Sequence, residues 1–208
     1  MDEYIKNLIL QGEGQTLDFK YEITDAKKIA KTFSAFANTN GGILLIGVKD
    51  NGKITGISIE EEEYMLESAA YIFCRPLVKY NVNKWFIDGK WILEVFVPPS
   101  RKKPHFALNE DNKWRAYIRV NDKNIQANGL ILKIWKAQKN KKGTFIRYGM
   151  LEKQVLKTLE SQPRTFNEIK NSLKIKGKVL ENILVKMASI EAIKINYKEN
   201  NFYFFLGD

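Results

Sequence analysis

Three lysines alternate with other residues across a short turn in the carboxyl-terminal part of the sequence. Lys174, Lys176 and Lys178 surround Gly177, which allows a close backbone approach, and a helix is predicted to begin at Lys178. Lysines at the start of a helix suit contacts with nucleic-acid phosphates, which add affinity and salt dependence rather than sequence choice. Base edges are read mostly by Arg, Asn and Gln, and this helix offers Asn182. The pattern predicts a phosphate-binding surface.

The segments around these lysines follow the order helix, helix-turn-helix, hairpin. Residues 150–161 carry apolar side chains at helical spacing, and Thr165 with Glu168 forms a capping box that opens a short second helix. The third helix starts at Lys178, and residues 193–206 have the pattern of a β-hairpin. This order is that of a winged helix, whose second helix-turn-helix element enters the major groove of DNA. The alternative is a winged helix used for docking or dimerisation, with the lysines as a solvated face.

The charge of the chain favours an anionic partner. The 208 residues include 34 Lys and Arg against 24 Asp and Glu, a net charge of +10. Residues 137–208 contain 14 of the Lys and Arg residues and 7 of the Asp and Glu residues, so this segment has a net charge of +7. Because basic proteins attract nucleic acid, we expect a nucleic-acid partner, and we expect DNA in preference to RNA.

The composition excludes several kinds of site. Cys74 and His105 are the single cysteine and histidine of the sequence. Neither a disulfide framework nor a zinc site of Cys and His ligands can therefore form within one chain. The amino terminus lacks the basic region and cleavage site of a secretory signal, and no apolar run approaches the roughly 20 residues that span a bilayer. We expect a cytoplasmic protein with no membrane contact.

The sequence predicts two domains of α+β class. Residues 138–147 are mainly polar and basic and contain a glycine, so they are predicted to be a basic linker. The first domain then covers residues 1–137 and the winged-helix domain residues 148–208.

The first domain mixes helices with strands. Residues 25–38 have helical apolar spacing, and the apolar run 43–48 is typical of a strand buried on both faces. Asn51 and Gly52 suit a type I′ hairpin turn, and a Ser58 capping box opens another helix. Further strands are predicted over residues 78–82, 85–87, 91–97 and 114–120. The expected result is a mixed sheet.

Gly41 and Gly42 precede a strand instead of opening a helix. A nucleotide-binding loop cradles phosphate at a helix amino terminus, and the sequence lacks the G-x-x-x-x-G-K-[ST] pattern. ATP binding is therefore not expected, and the two glycines are better explained by tight packing of helix against strand.

Several stretches of the first domain resemble a known family. They are residues 13–20, EGQTLDFK, residues 34–42, SAFANTNGG, and residues 46–52, IGVKDNG. Together they resemble the Schlafen-type AlbA-like domain, over about residues 10–135. Its bacterial members have been described as divergent ATP-binding or DNA-binding domains. Bacterial members similar to this sequence often carry a carboxyl-terminal winged helix and are described as transcriptional regulators.

The resemblance also implies a nuclease. Animal Schlafens with nuclease activity use three acidic residues and a divalent metal to cut tRNA-like RNA, and by motif these positions are Glu13, Asp18 and Asp50. Three converging carboxylates could hold Mg²⁺ or Mn²⁺ and activate water. The second acid is Asp where the family usually has Glu. Animal Schlafens also join two such domains, so this chain would have to form a homodimer.

The same residues have a simpler interpretation. Glu13 and Asp18 could pair with Lys20 and Arg119 at the surface, and Asp50 could serve only the turn.

Basic residues of the first domain are further candidates for backbone contact. They are Lys20, Arg101, Lys102, Lys103 and Arg119. Solvation alone explains three other cations on one helix, Lys27, Lys28 and Lys31.

The sequence as a whole predicts a homodimeric DNA-binding protein that acts in transcription regulation and needs no cofactor. The alternative function is a Mg²⁺- or Mn²⁺-dependent endoribonuclease for tRNA-like RNA. A third candidate function is that of a docking module that binds neither DNA nor RNA.

Overall fold

The computed structural model describes residues 2–139 and 149–207. The chain divides into two compact units, Met1–Ala127 (unit 1) and Asn128–Asp208 (unit 2). This division falls before the predicted domain boundary at residue 137. Most of the predicted linker lies outside the described residues, so its nature stays a prediction.

Within both described stretches, every helix is too short or too polar to cross a membrane.

Unit 1 alternates helices and strands along the chain. Its elements are α1 (Asp2–Gln11), β1 (Leu17–Lys20), α2 (Ala26–Asn38), β2 (Gly42–Ile46), α3 (Ile59–Tyr71), β3 (Cys74–Arg75), β4 (Asn81–Ile87), β5 (Lys90–Val97), β6 (Phe106–Leu108), β7 (Trp114–Val120) and β8 (Lys123–Gln126).

The strands of unit 1 form two four-stranded sheets. The first has the order β1-β2-β5-β4, in which β1 and β2 are parallel and the other neighbours antiparallel. The second has the antiparallel order β3-β6-β7-β8. Unit 1 is therefore a mixed α+β structure with a mixed sheet, as predicted.

Helix α2 lies at the centre of unit 1 and contacts both sheets and α3. Asp25 caps it by accepting a hydrogen bond from the backbone N–H of Lys27 at 2.8 Å. Ten of its 13 residues are buried, including the predicted apolar positions Ile29, Phe33 and Phe36. Helix α1 covers the other face of the first sheet, where Ile5 joins a separate apolar cluster. The first sheet is thus covered on both faces.

Gly41 and Gly42 bring the end of α2 close to the first sheet. A Cβ atom on Gly42 would lie 2.6 Å from the Phe36 ring. Gly41 has a φ of +75°, and its Cβ would lie 2.7 Å from the Val97 carbonyl oxygen. Only glycine fits at either position, and the pair leads into strand β2.

Two local predictions in unit 1 are wrong. Ser58 precedes α3, but its side chain makes no capping hydrogen bond. In the turn after Val48, Gly52 has a φ of +80° whereas Asn51 is not among the residues with positive φ. A type I′ turn needs positive φ at both central residues. Here the backbone N–H of Gly52 donates to the Lys49 carbonyl at 2.8 Å, so residues 49–52 form a four-residue turn. Gly52, its last residue, has the positive φ.

Strand positions were predicted better than strand ends. The prediction for residues 114–120 coincides with β7, and the apolar run at 43–48 becomes β2, which ends at Ile46. Residues 78–80 precede β4 and are not part of it. Helix α1, strand β1 and the short strands β3, β6 and β8 were not predicted from the sequence.

Unit 2 begins with a helix that the sequence analysis also missed. Its elements are α4 (Gly129–Gln138), α5 (Met150–Leu159), β9 (Arg164–Thr165), α6 (Phe166–Leu173), α7 (Gly177–Ser189), β10 (Ile193–Lys198) and β11 (Asn201–Leu206). The strands form a three-stranded antiparallel sheet in the order β10-β11-β9. One apolar core joins this sheet to α5, α6 and α7 through Val155, Ile169, Leu184 and Phe204.

The local signals of unit 2 are mostly confirmed. Thr165 and Glu168 form the predicted capping box. The hairpin turns at Glu199 and Asn200, which both have positive φ, at 50° and 61°. Val179, in the first turn of α7, is 37% exposed.

Candidate functional site

A cavity of about 530 Å³ in unit 1 brings the three predicted carboxylates to one place. Glu13, Asp18 and Asp50 all contribute to its lining. Four lysines from β1 and α2 also line it: Lys20, Lys27, Lys28 and Lys31. In total the lining holds six carboxylates and five cationic side chains, so the charge of the cavity is nearly balanced.

Asp18 and Arg119 form a buried ion pair in the wall of this cavity. Arg119 Nη2 lies 3.0 Å from Asp18 Oδ1, and the two residues are 2% and 4% exposed. The guanidinium also donates to the backbone carbonyls of Gly14 and Leu17, at 3.1 Å each, and to Asn124 Oδ1 at 3.1 Å. Arg119 therefore joins β1 to β7 and β8 and has no exposed face for a phosphate, contrary to the expected surface contact.

The second oxygen of Asp18 is less well satisfied. Asp18 Oδ2 is buried and has no aligned hydrogen-bond donor among the described residues. Its closest cation is the Lys20 ammonium, whose Nζ lies 3.0 Å away and also donates to the Phe19 carbonyl. The simpler interpretation of Asp18 as a partner of Lys20 and Arg119 thus describes the geometry, but the pair is buried and not at the surface.

Glu13 sits next to Asp18 at the cavity wall. Its Oε1 accepts a hydrogen bond from the backbone N–H of Phe19 at 2.8 Å. Burial raises the pKa of Glu13, and the adjacent Asp18 carboxyl raises it further. Glu13 therefore holds a proton more readily than a solvent-exposed glutamate does.

The described geometry does not assemble a metal centre from these acids. No group of three or more His, Cys, Asp and Glu side chains in the described parts of the chain is arranged to hold a metal ion. Asp50 is exposed in the turn after Val48, and Asp18 is already engaged by two cations. The three acids share a cavity without forming a ready carboxylate cage for Mg²⁺ or Mn²⁺.

Lys27, Lys28 and Lys31 are cavity residues that the sequence analysis assigned to solvent. Lys28 and Lys31 are exposed, and Lys27 Nζ donates to Asn112 Oδ1 at 2.8 Å. The sequence signal for these residues is three lysines on one side of a helix whose other residues are largely apolar. This spacing alone could not show that the folded domain places acidic side chains in the same cavity as the lysines.

The basic loop 101–103 between β5 and β6 lies apart from the cavity lining. Arg101 and Lys102 are exposed. Lys103 is partly buried and donates from Nζ to the Thr39 carbonyl at 3.3 Å, and burial lowers its pKa. These three residues therefore do not contribute to the cavity that Lys20 and Arg119 line.

The matched motif residues near α2 hold the fold together. Asn38 Nδ2 donates to the carbonyls of His105 and Tyr117 at 2.8 and 3.0 Å, and its Oδ1 accepts from the His105 amide at 2.8 Å. The His105 ring is buried, with Nε2 2.7 Å from Ser100 Oγ and Nδ1 3.0 Å from the Pro76 carbonyl. The ring of His105 is therefore built into the packing between α2 and the second sheet.

In unit 2 the three predicted lysines lie at the turn between α6 and α7. Lys174 ends α6 in a left-handed conformation, with a φ of 50°, and Lys176 is the N-cap residue of α7. All three side chains are exposed. Lys178 Nζ lies 3.2 Å from Glu181 Oε2. The cations thus surround the amino terminus of α7, where the helix dipole adds positive potential.

The family profile described as "Schlafen, AlbA_2" matches residues 13–128. This match covers more than half of the chain. The chain belongs to the Schlafen AlbA_2 family. The profile spans the cavity, both sheets and the Asn38 network, and it ends where unit 2 begins.

Two solved structures resemble this Schlafen AlbA_2 protein. The DIP2311 protein from Corynebacterium diphtheriae has 17% sequence identity and a TM-score of 0.49, and the match covers 91% of this chain and 38% of that one. The N-terminal domain of a RecG-related protein from Nitrosomonas europaea has 20% identity and a TM-score of 0.43, over 56% of this chain and 87% of that one. The chain therefore spans well under half of the DIP2311 protein. A search of curated proteins finds no match.

Proposed function

We propose that this Schlafen AlbA_2 protein binds duplex DNA through unit 2, as a homodimeric regulator of transcription. Family membership suggests a nucleic-acid-related function in general terms. The observation that carries the narrower proposal is the exposed cluster of Lys174, Lys176 and Lys178 around the amino terminus of α7.

The element order of unit 2 supports a winged helix. Helices α5, α6 and α7 are followed by the β10–β11 hairpin, and β9 between α5 and α6 completes a three-stranded sheet. In such a domain α7 is the helix that enters the major groove. Its exposed residues include Lys178, Val179 and Asn182, which suits phosphate contacts with little direct base reading.

Local electrostatics support phosphate binding at this turn. Of the three lysines, Lys178 has an acidic partner, Glu181, and that ion pair is exposed and weak. A phosphate next to the amino terminus of α7 would gain from the ammonium groups and from the positive end of the helix dipole.

The test is duplex binding at several salt concentrations by two charge-matched variants. One replaces Lys174, Lys176 and Lys178 with Gln. The control replaces Lys153, Lys157 and Lys186 with Gln, which are exposed lysines elsewhere in unit 2.

We expect the first variant to bind more weakly, because it engages fewer phosphates. The slope of log K against log salt should become shallower by about 0.9 for each phosphate that the variant no longer neutralises. The control should keep the slope of the wild type. Equal slopes in the two variants would refute the proposed interface.

The homodimer is tested by light scattering. We expect a mass near twice the 24.1 kDa of the chain at micromolar concentration. A monomer that still binds DNA would remove this part of the proposal.

A second candidate function is cleavage of tRNA-like RNA. It is favoured by the observation that Glu13, Asp18 and Asp50 line one cavity. The described geometry does not form a three-carboxylate metal site, so we derive no metal-dependent step from it. Incubation of tRNA with the protein and Mn²⁺ tests this function, and Asp50→Ala is the informative variant because Asp50 is exposed.

A further inference from the structure

The sheet of unit 2 has a second face that its hydrophobic core does not use. Ile193, Ile195 and Phe204 point into the core with the helices. Because side chains alternate along a strand, the residues between them lie on the outer face, away from α7. On this outer face two aromatic rings, Tyr203 and Phe205, lie among lysine and asparagine side chains.

The strand register places one lysine and one amide beside aromatic rings. Lys194 pairs with Phe205 across β10 and β11, and Asn196 pairs with Tyr203. Tyr203 and Phe205 are two residues apart on β11, so their Cα atoms are about 6.8 Å apart. Both side chains are partly exposed.

Asn196, Tyr203 and Phe205 line a shallow cavity of about 400 Å³. Tyr203 and Phe205 form part of its floor, Pro163 lies at one side, and Asn196 and Lys198 contribute polar groups. The ion pair of Lys198 with Glu199, at 3.2 Å, is between two strongly exposed side chains and is weak.

An unpaired nucleobase fits this chemistry better than a duplex does. Aromatic rings stack on base faces, which a duplex hides and a single strand exposes. The Asn196 amide can form hydrogen bonds with a base edge, and the exposed Lys198 suits an adjacent phosphate. The excess of basic residues in this part of the sequence adds a general attraction for a polyanion.

We propose that the outer face of the β10-β11-β9 sheet is a binding site for single-stranded nucleic acid, with bases stacked on Tyr203 and Phe205. This site is separate from the duplex interface proposed at α7, because it lies on the other side of the sheet. The protein would then hold duplex and single-stranded segments on different surfaces of unit 2.

The experiment measures affinity of the full chain for fluorescent ten-nucleotide oligomers of thymidine and uridine and for an abasic oligomer of the same length. We expect the base-containing strands to bind more tightly than the abasic one. Tighter binding of the uridine or the thymidine strand assigns RNA or DNA as the source, and either supports the site. Equal affinity for the abasic strand would overturn the proposal.

Variants separate this site from the duplex interface. Tyr203→Leu with Phe205→Leu should weaken single-strand binding by at least about 30-fold, because each base that loses its stacking ring weakens binding by about 5-fold or more. The same variant should leave duplex binding unchanged. The control, Tyr64→Leu with Tyr71→Leu, removes two tyrosines of α3 that are 69% and 60% exposed and should have no effect on either.

A second variant protects the test against misfolding. Asn196→Ala with Lys198→Gln changes two exposed residues outside the core, and it should weaken single-strand binding and reduce the salt slope by about 0.7. If the variants fold, as judged by circular dichroism, and bind single strands as the wild type does, the proposal is wrong. Loss of self-association in the Leu variant, with oligomer affinity unchanged, would instead make this face a contact between two copies.

Discussion

Arg119 on β7 and Asp18 on β1 join the two sheets of unit 1 through a buried ion pair, with Nη2 and Oδ1 3.0 Å apart. Every nitrogen of the guanidinium donates to an acceptor in the protein. Its central carbon also lies 5.2 Å from the centre of the Phe36 ring. This arrangement gives Arg119 a structural role in this domain whether or not nucleic acid is bound.

Removing the acidic partner should destabilise unit 1. Asp18→Ala leaves a buried guanidinium without its counter-charge, and loss of one member of a buried pair costs about 3–5 kcal/mol. Urea denaturation followed by tryptophan fluorescence measures this loss. Lys28→Ala is the control, because Lys28 is exposed on α2, and it should change stability by no more than about 0.5 kcal/mol. Similar losses in both variants would contradict this role of the pair.

The stability of Asp18 variants also affects the nuclease test. If Asp18→Ala unfolds part of unit 1, loss of RNA cleavage by that variant says nothing about chemistry. Asp50 is exposed and has no such structural role in the described contacts, so its replacement separates activity from folding.

Asn38 should be as important for stability as an apolar core residue. Asn38→Ala leaves the carbonyls of His105 and Tyr117 and the amide of His105 without this partner. Each unsatisfied buried group costs about 1–3 kcal/mol, so we expect a loss of at least about 2 kcal/mol in urea denaturation. Asn40→Ala, two residues later and exposed, is the matched control and should change stability little. A loss in Asn38→Ala no larger than that of the control would contradict the network.

Sequence patterns predicted the elements of this chain better than its site. The apolar spacing of residues 25–38 predicted α2 because the buried side of this helix consists of apolar residues that recur at helical spacing. Helix α1 and strand β1 were missed because each is short and is stabilised by tertiary contacts around Ile5 and Phe19.

The candidate site depends on contacts between residues far apart in the sequence. Motif matching identified Glu13, Asp18 and Asp50, and they do line one cavity. It could not show that Arg119 would bind Asp18 from a different sheet, since this depends on the packing of β7 against β1. The position of the lysines at residues 174–178 was easier to predict, because a turn between two helices depends on the local sequence.

Glu62 should make unit 1 less stable as the pH rises. Its carboxylate is 7% exposed and accepts from the Ile23 amide at 3.0 Å. Burial raises the pKa of Glu62 above its ordinary value of 4.5, and Glu22 and Glu61 add to the rise. The folded state therefore holds this proton more tightly than the unfolded chain. The resulting stabilisation is present below the ordinary pKa and is lost as the pH rises through the raised pKa of the folded state.

The variant Glu62→Gln tests this pH dependence. The amide oxygen still accepts from Ile23 but carries no charge, so the melting temperature should depend less on pH from about 4 upward. Thermal melts at a series of pH values measure the change. Glu60→Gln, an exposed position in the first turn of the same helix, should retain the wild-type pH profile. A wild-type profile for Glu62→Gln would show that the carboxyl titrates normally.

Two helix starts with similar sequence patterns should respond differently to the same substitution. Thr165 Oγ1 accepts from the Glu168 amide at 3.3 Å, and Glu168 Oε2 accepts from the Thr165 amide at 2.7 Å. The hydrogen bonds from Thr165 lower the pKa of Glu168, as expected for a carboxylate in a formed capping box. Ser58, at the start of α3, makes no such bond. Thr165→Ala should therefore cost about 1 kcal/mol and Ser58→Ala close to nothing. Amide hydrogen exchange in α6 and in α3 reports the two effects separately, because each helix belongs to its own unit. An equal loss of protection at both helices would mean that the Ser58 side chain caps α3 in solution.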